Sequence, residues 1–168
     1  MEVVKKFIDE ESEPDMTAKN FEVLYSDSAR LHMRITAPMI KSFSSAEEKR
    51  DEFPEGIHVW FYEKTGEMKA EITANWARHD AETKIWEARN NVVLNSAQGQ
   101  RLETEQMFWD SQQRIVYSNK YTKITQSNGA MASGESFWAT QDFSEYKLYN
   151  RTGIGRTVII LKDDDDEI

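Results

Sequence analysis

Three histidines, His32, His58 and His79, and the carboxylate pair Glu103 and Glu105 are the side chains of this sequence best suited to chemistry. Imidazoles hold metals or carry protons near neutral pH, but a metal motif needs close spacing, and these three fall on separate strands or turns. Each reads as a surface or half-buried imidazole. Two carboxylates at i and i+2 of a strand share one face about 6–7 Å apart, a separation that suits a glycosidase pair. Alternation with Leu102 and Thr104 puts Glu103 and Glu105 on the wet face, where a solvated pair is the simpler reading. There is no Gly-rich phosphate loop, dinucleotide fingerprint or defensible Ser-His-Asp spacing. The absence of cysteine excludes disulfides, thiolate metal sites and thiol catalysis. Asn150-Arg151-Thr152 matches a glycosylation sequon, which has consequences only in a secreted eukaryotic protein. The residues predict no catalytic site, no cofactor and no metal, so an enzyme is the weaker hypothesis.

Charge points the same way. The net charge is −9, but residues 1–15 carry six acids against two lysines, and Lys162 to Glu167 carry five against one. The body between is nearly neutral and offers no footprint for nucleic acid. Residues 1–17 read as a mobile acidic linker and 162–168 as a disordered acidic tail, which leaves one domain over 18–161. A hydrophobic content of 39% suffices for a core, although the mean hydropathy is −0.73. No apolar run approaches the roughly 18 residues of a membrane span.

Any working surface must be positioned by a repeat. Ile72-Thr73-Ala74-Asn75-Trp76, Lys84-Ile85-Trp86 and Asn91-Val92-Val93-Leu94, closed by Gly99, precede Leu102-Glu103-Thr104-Glu105-Gln106, Arg114-Ile115-Val116 and Tyr121-Thr122-Lys123-Ile124, closed by Gly129. The offset is 30 residues throughout (85 to 115, 94 to 124, 99 to 129). Ala132-Ser133-Gly134-Glu135-Ser136 and Tyr146-Lys147-Leu148-Tyr149 continue it downstream. Arg34-Ile35-Thr36-Ala37 and Gly66 echo it upstream, around an insertion from Lys41 to Pro54. About four stacked units, the outer ones degenerate, are expected.

Period-two alternation in Phe21 to Tyr25 and Arg30 to Ala37, with Ser26-Asp27-Ser28 between them, predicts a hairpin that Pro38 ends. Ser42 to Arg50 is the only helix-compatible segment, with Ser45 and Glu48 in capping-box spacing, and is short enough to be one turn or a loop. Gly56 to Tyr62 and Glu67 to Ala77 predict strands joined by a turn with Gly66 in the left-handed region. Each 30-residue unit reads as three short strands broken at Asp80-Ala81-Glu82, Asn90-Asn91 and Gln98-Gly99, or at their counterparts. Such strands, spaced by roughly 10 residues, predict an all-β sandwich, barrel or stacked-hairpin fold.

An apolar face recurs in every unit, with Ile72, Ala74, Trp76, Ile85, Leu102, Phe108, Ile115, Tyr117, Ile124, Phe137 and Leu148 as candidates. These residues make a closed core or, if the sheets curl without sealing, a trough for acyl chains. Strand edges at the ends of the stack must be capped or paired, so strand addition to a partner follows.

Tyr25-Ser26-Asp27-Ser28-Ala29-Arg30-Leu31 followed by Arg34-Ile35-Thr36-Ala37 resembles the opening hairpin of the LptC family of periplasmic lipopolysaccharide-export proteins. Phe53-Pro54-Glu55-Gly56, Ile72 to Ala77, Asn91 to Leu94, Leu102 to Glu105 and Asn128 to Gly134 are similar to that family in order and spacing, over about Ala18 to Leu148. The resemblance implies an open, twisted β-jellyroll of stacked antiparallel strands with a hydrophobic interior. It implies a non-enzymatic protein that receives lipopolysaccharide from an inner-membrane ABC transporter and passes it through a hydrophobic trough to the next jellyroll of a periplasmic bridge. On that reading Ile72, Ala74, Trp76, Ile85, Leu102, Phe108, Ile115, Tyr117, Ile124 and Phe137 line the lipid path. Phe21, Val23, Tyr25 and Leu31 face the transporter's periplasmic jellyrolls, and Gly129, Gly134, Tyr146 and Leu148 face a bridge protein of the same fold. An edge-to-edge homodimer is a further pairing. The implied location is the periplasm, with an inner-membrane anchor in a segment outside this sequence. The alternative is a carbohydrate-binding or carbohydrate-processing β-sandwich, suggested by the five tryptophans and the Glu103/Glu105 pair.

Overall fold

The structure, a computed structural model, describes residues 13–44, 47, 49–141, 143, 145–152 and 155–161. Among these there is no helix, and so none long and apolar enough to cross a membrane. The strands are β1 (Met16–Asp27), β2 (Arg30–Phe43), β3 (Arg50–Phe53), β4 (Ile57–Tyr62), β5 (Met68–Ala74), β6 (Trp76–Asp80) and β7 (Ile85–Ser96). They continue as β8 (Arg101–Asp110), β9 (Ile115–Ser118), β10 (Thr122–Thr125), β11 (Met131–Gly134), β12 (Ser136–Thr140), β13 (Tyr146–Thr152) and β14 (Gly155–Leu161). All pairings are antiparallel and all belong to one sheet. The all-β jellyroll expectation holds.

The sheet is folded along a line of corners into two facing layers. In the first, the N-terminal half of β2 pairs with β4, then β5, the C-terminal half of β7, the N-terminal half of β8, β10 and β11. In the second, the C-terminal end of β2 pairs with β3, then β6, the N-terminal half of β7, the C-terminal half of β8, β9, β12, β13 and β14. β1 runs along β2 through both layers.

The corners explain the repeat. Asn75, Asn90, Glu105, Lys120 and Glu135 each stand where the chain leaves one layer for the other, fifteen residues apart (75, 90, 105, 120, 135). One 30-residue unit is therefore an outward and a return crossing. Asn90 and Asn91 take left-handed backbone (φ 65° and 53°), the conformation asparagine tolerates best among non-glycine residues, and the β7–β8 register shifts there. Neighbouring corners are bonded to one another: the Asn75 N–H donates to the Asn90 carbonyl at 3.0 Å and the Asn91 N–H to Glu105 Oε2 at 3.3 Å.

The turns repeat as well. Asp80 Oδ1 accepts the Glu82 and Thr83 N–H groups at 2.9 Å, and Asp110 Oδ1 accepts those of Gln112 and Gln113 at 3.0 Å, in equivalent Asx turns. Gly66 closes its turn in the left-handed region as expected (φ 88°), with its N–H on the Glu63 carbonyl.

Several expectations are corrected. Pro38 does not end the first hairpin; β2 runs through it to Phe43, with Pro38 at a corner opposite Asn20 (φ 54°). Asn90-Asn91 does not separate two strands but bends the single strand β7. The expected domain bounds stand apart from these: Met16 pairs with Ser42 at the start of β1. The rest of the expected acidic linker, the acidic tail and the Ser45/Glu48 capping box lie wholly or partly outside the described residues.

The core lies between the layers. Ile35, Phe53, Val92, Leu102, Val116, Phe137, Ala139 and Leu148 are among its buried side chains. Small residues mark the inner side where each strand reaches its corner: Ala37, Ala74, Ala88, Thr104, Ser118 and Gly134. Bending also frees carbonyls from the ladder, and the Thr104 hydroxyl donates to the Tyr121 carbonyl at 2.9 Å and that of Thr122 to the Lys120 carbonyl at 3.0 Å. Among the described residues no buried side-chain nitrogen or oxygen lacks a partner.

Candidate functional site

A site for an apolar ligand needs an apolar surface that other side chains can yield. The facing sides of the two layers supply it. Ile72 and Ala74 of β5, Leu102 of β8, Ile124 of β10 and Phe137 of β12 all belong to the interior cluster, together with Ile35, Val59 and Leu94.

The other five predicted lipid residues do not join them. Trp76, Ile85, Phe108, Ile115 and Tyr117 lie on the outer surface of the second layer. Along an unbent strand Ile72, Ala74 and Trp76 would share a face. The corner at Asn75 slips the alternation by one, so Ala77 is buried and Trp76 turns outward beneath the Arg89 guanidinium, 4.7 Å from its ring. The same slip puts Trp86 inside instead of Ile85, Met107 and Trp109 instead of Phe108, and Val116 instead of Ile115 and Tyr117. The small residue at each bend was a signal in the sequence for this slip.

The groove is shut as it stands. In its C-terminal half a cavity walled by Leu94, Leu102, Ile124, Phe137, Phe143 and Tyr146 leaves about 20 Å³ free. That is room for one water, not for an acyl chain. Above this cavity the Tyr146 hydroxyl, carried by the second layer, accepts hydrogen bonds from Gln126 Nε2 at 3.1 Å and Gln100 Nε2 at 3.3 Å, carried by the first. Nearer the N-terminus the layers meet through Phe61 and Trp109, edge to face at 5.7 Å. At the corner of Asn20, Pro38 and Gly56 a hollow of about 550 Å³ opens to solvent and reaches Ala37, Ile57 and Ala74. Gly56 keeps this corner tight, since a Cβ there would stand 2.9 Å from the Ala74 carbonyl oxygen.

Of the predicted partner residues, Phe21 and Val23 pack against the core, while Tyr25 and Leu31 flank the tip of the first hairpin. Burial raises the Tyr25 phenol above its ordinary value, with the Asp51 carboxylate adding to the shift. Gly129 is exposed in a turn, but Gly134, Tyr146 and Leu148 are buried. β13 is covered by β14, so the outer strand of the second layer lies one strand beyond the predicted one. At the opposite end, among the described residues, β1 pairs with β2 alone and exposes Met16, Leu24 and Tyr25.

The groups suited to chemistry are scattered. His58 Nε2 bonds Glu71 Oε2 at 2.8 Å and stacks on Trp60, whereas the His79 ring meets Trp86 tilted at 4.4 Å, and His32 is exposed. Among the described residues no three His, Cys, Asp or Glu side chains gather to hold a metal. Lys123 at 3.2 Å, with Arg101, holds the Glu103 carboxyl below its ordinary range, opposite to the shift a general acid needs.

Comparison with known families gives a match to this sequence. The family described as lipopolysaccharide-assembly, LptC-related, covers residues 5–150. No curated protein matches the chain.

Proposed function

Because the chain belongs to the LptC-related lipopolysaccharide-assembly family and so to lipopolysaccharide transport, we propose that it is a non-enzymatic carrier that takes lipopolysaccharide from an inner-membrane ABC transporter and passes it on between its two layers. The observation that carries this reading is the continuous apolar interior from Ile35 to Leu148, flanked by two layers whose strand ladders meet at the corners. Each acyl CH₂ left in water costs about 0.8 kcal/mol, so a carrier must cover the chains while the sugars stay outside. Layers that part at the edge away from the corners do this without a chemical step. The free edge of β1 suits strand addition to the transporter's periplasmic jellyrolls, and the C-terminal edge suits a bridge protein of the same fold or a second copy. A periplasmic setting with an inner-membrane anchor accompanies this reading.

The test uses lipid A carrying a diazirine in one acyl chain, photolysed on the full chain, with labelled residues identified by peptide mass spectrometry. Labels on Ile72, Leu102 or Phe137 are expected. Labels confined to the outer residues Phe108, Tyr117 and Ile115 would overturn the reading.

One observation favours a carbohydrate-binding face as a second reading. On the outer surface Phe108, Tyr117 and Trp138 follow one another across β8, β9 and β12, with Phe108 and Tyr117 stacked at 5.1 Å and the Lys147 ammonium 5.1 Å from the Trp138 ring. Delipidated core oligosaccharide that shifts the resonances of these rings would support it, and unchanged resonances would remove it.

A further inference from the structure

We propose that Tyr146, Gln100 and Gln126 form a latch that holds the C-terminal half of the groove closed and must release before an acyl chain passes beyond it, an inference that rests on the lipid-path reading above. Tyr146 is 3% exposed, so its hydroxyl depends on protein partners. Those partners come from the other layer. Gln100 enters β8 and Gln126 follows β10, both at the open edge farthest from the corners. Gln126 Nε2 donates to the hydroxyl at 3.1 Å, Gln100 Nε2 at 3.3 Å, and Gln100 Nε2 also reaches Gln126 Oε1 at 3.0 Å, so the three groups are tied to one another across the layers. The nearly filled cavity lies directly beneath them.

The two halves of the groove differ in what an acyl chain must displace. Between Phe61 and Trp109 it exchanges one apolar contact for another, which costs little. At Tyr146 it would separate the buried hydroxyl from two half-buried amides and cannot replace their hydrogen bonds, and a buried hydroxyl that loses its partners is costly. The N-terminal half therefore admits a chain first, and the latch sets the barrier to the C-terminal half. All three groups are uncharged, so the barrier is insensitive to salt.

The test repeats the photolabelling with lipid A in wild type, Tyr146→Phe and Gln126→Leu, comparing labels on Phe61 and Ile72 with labels on Ile124 and Phe137. Tyr146→Phe keeps the ring and removes only the hydroxyl. About tenfold more label on Ile124 and Phe137 is expected in both variants, with Phe61 and Ile72 unchanged. An unchanged ratio in both variants, with Phe61 and Ile72 still labelled, overturns the latch and leaves the lipid path standing. No label on any inner residue of the wild type overturns the lipid path and the latch with it. Near-ultraviolet circular dichroism reports folding, and Gln126→Leu decides alone if Tyr146→Phe does not fold.

Discussion

A Cβ at position 134 would stand 3.1 Å from the Leu148 Cβ, the Ser136 carbonyl oxygen and the Tyr149 nitrogen. Two of those atoms are backbone and cannot turn aside. Gly134→Ala is therefore expected to lower stability by about 1–3 kcal/mol, measured as a drop in the urea midpoint with unchanged slope. His79 makes a different residue-scale prediction. Burial holds its imidazole below the ordinary value of 6.5 against the pull of Asp51 and Asp80, and the nearby Lys84 adds to the depression. The unfolded chain then binds more protons than the folded one just below that value, so stability is full above it and falls as the pH drops through it. His79→Phe keeps the ring contact with Trp86 and should flatten the fall of the urea midpoint as the pH drops below the ordinary imidazole value. Asp80 and Glu103 are also depressed, from 3.8 and 4.5, so what they contribute is lost only at lower pH and leaves the His79 window readable.

At the scale of elements, the bends decide which side chains meet. Met107 and Phe108 are adjacent in β8, yet the first is buried between the layers and the second lies flat on Tyr117 outside. Met107→Ala should cost about 2–5 kcal/mol and Phe108→Ala about 1 kcal/mol or less by urea unfolding. If the alternation ran unbroken through Glu105, that order would reverse. Much of this element structure was legible beforehand. The 30-residue offset was visible because Asp80 and Asp110, or Gly99 and Gly129, serve the same turn and must keep their types. The phase slip was less so, because Asn90-Asn91 suggests a break between strands where β7 only bends, and Glu105 bends β8 with no turn residue beside it. Ile72, Ala74, Leu102 and Ile124 of the first layer therefore face inward together, as does Phe137 of the second, whereas Trp76, Ile85, Phe108, Ile115 and Tyr117 beyond the corners face outward. Tyr146 was placed at an edge for a related reason: its strand is terminal in the repeat, but β14 adds one more pairing outside it.

For the whole molecule, a filled interior means that ligand and side chains compete for one volume. Opening should therefore swing the layers about the corners and not stretch the strands. Amide exchange in the lipid-bound protein is expected to rise at residues 96–100 and 126–130, along the open edge, and to remain slow at 90–92 and 104–106 on the corner line, as measured by hydrogen–deuterium exchange mass spectrometry. Uniform protection on lipid binding would contradict this motion. The equal spacing of the corners carries a consequence for how such a chain can grow. Each fifteen-residue crossing adds one strand to each layer, and adjacent strands lie about 4.8 Å apart. Duplicating an outward and return pair lengthens the channel by about 10 Å and restores the original edge in the original direction. Duplicating a single crossing would reverse the direction of everything downstream and present the wrong end to a neighbour. Gene-level copying of this fold is thereby restricted to even steps, and 30 residues is the smallest of them.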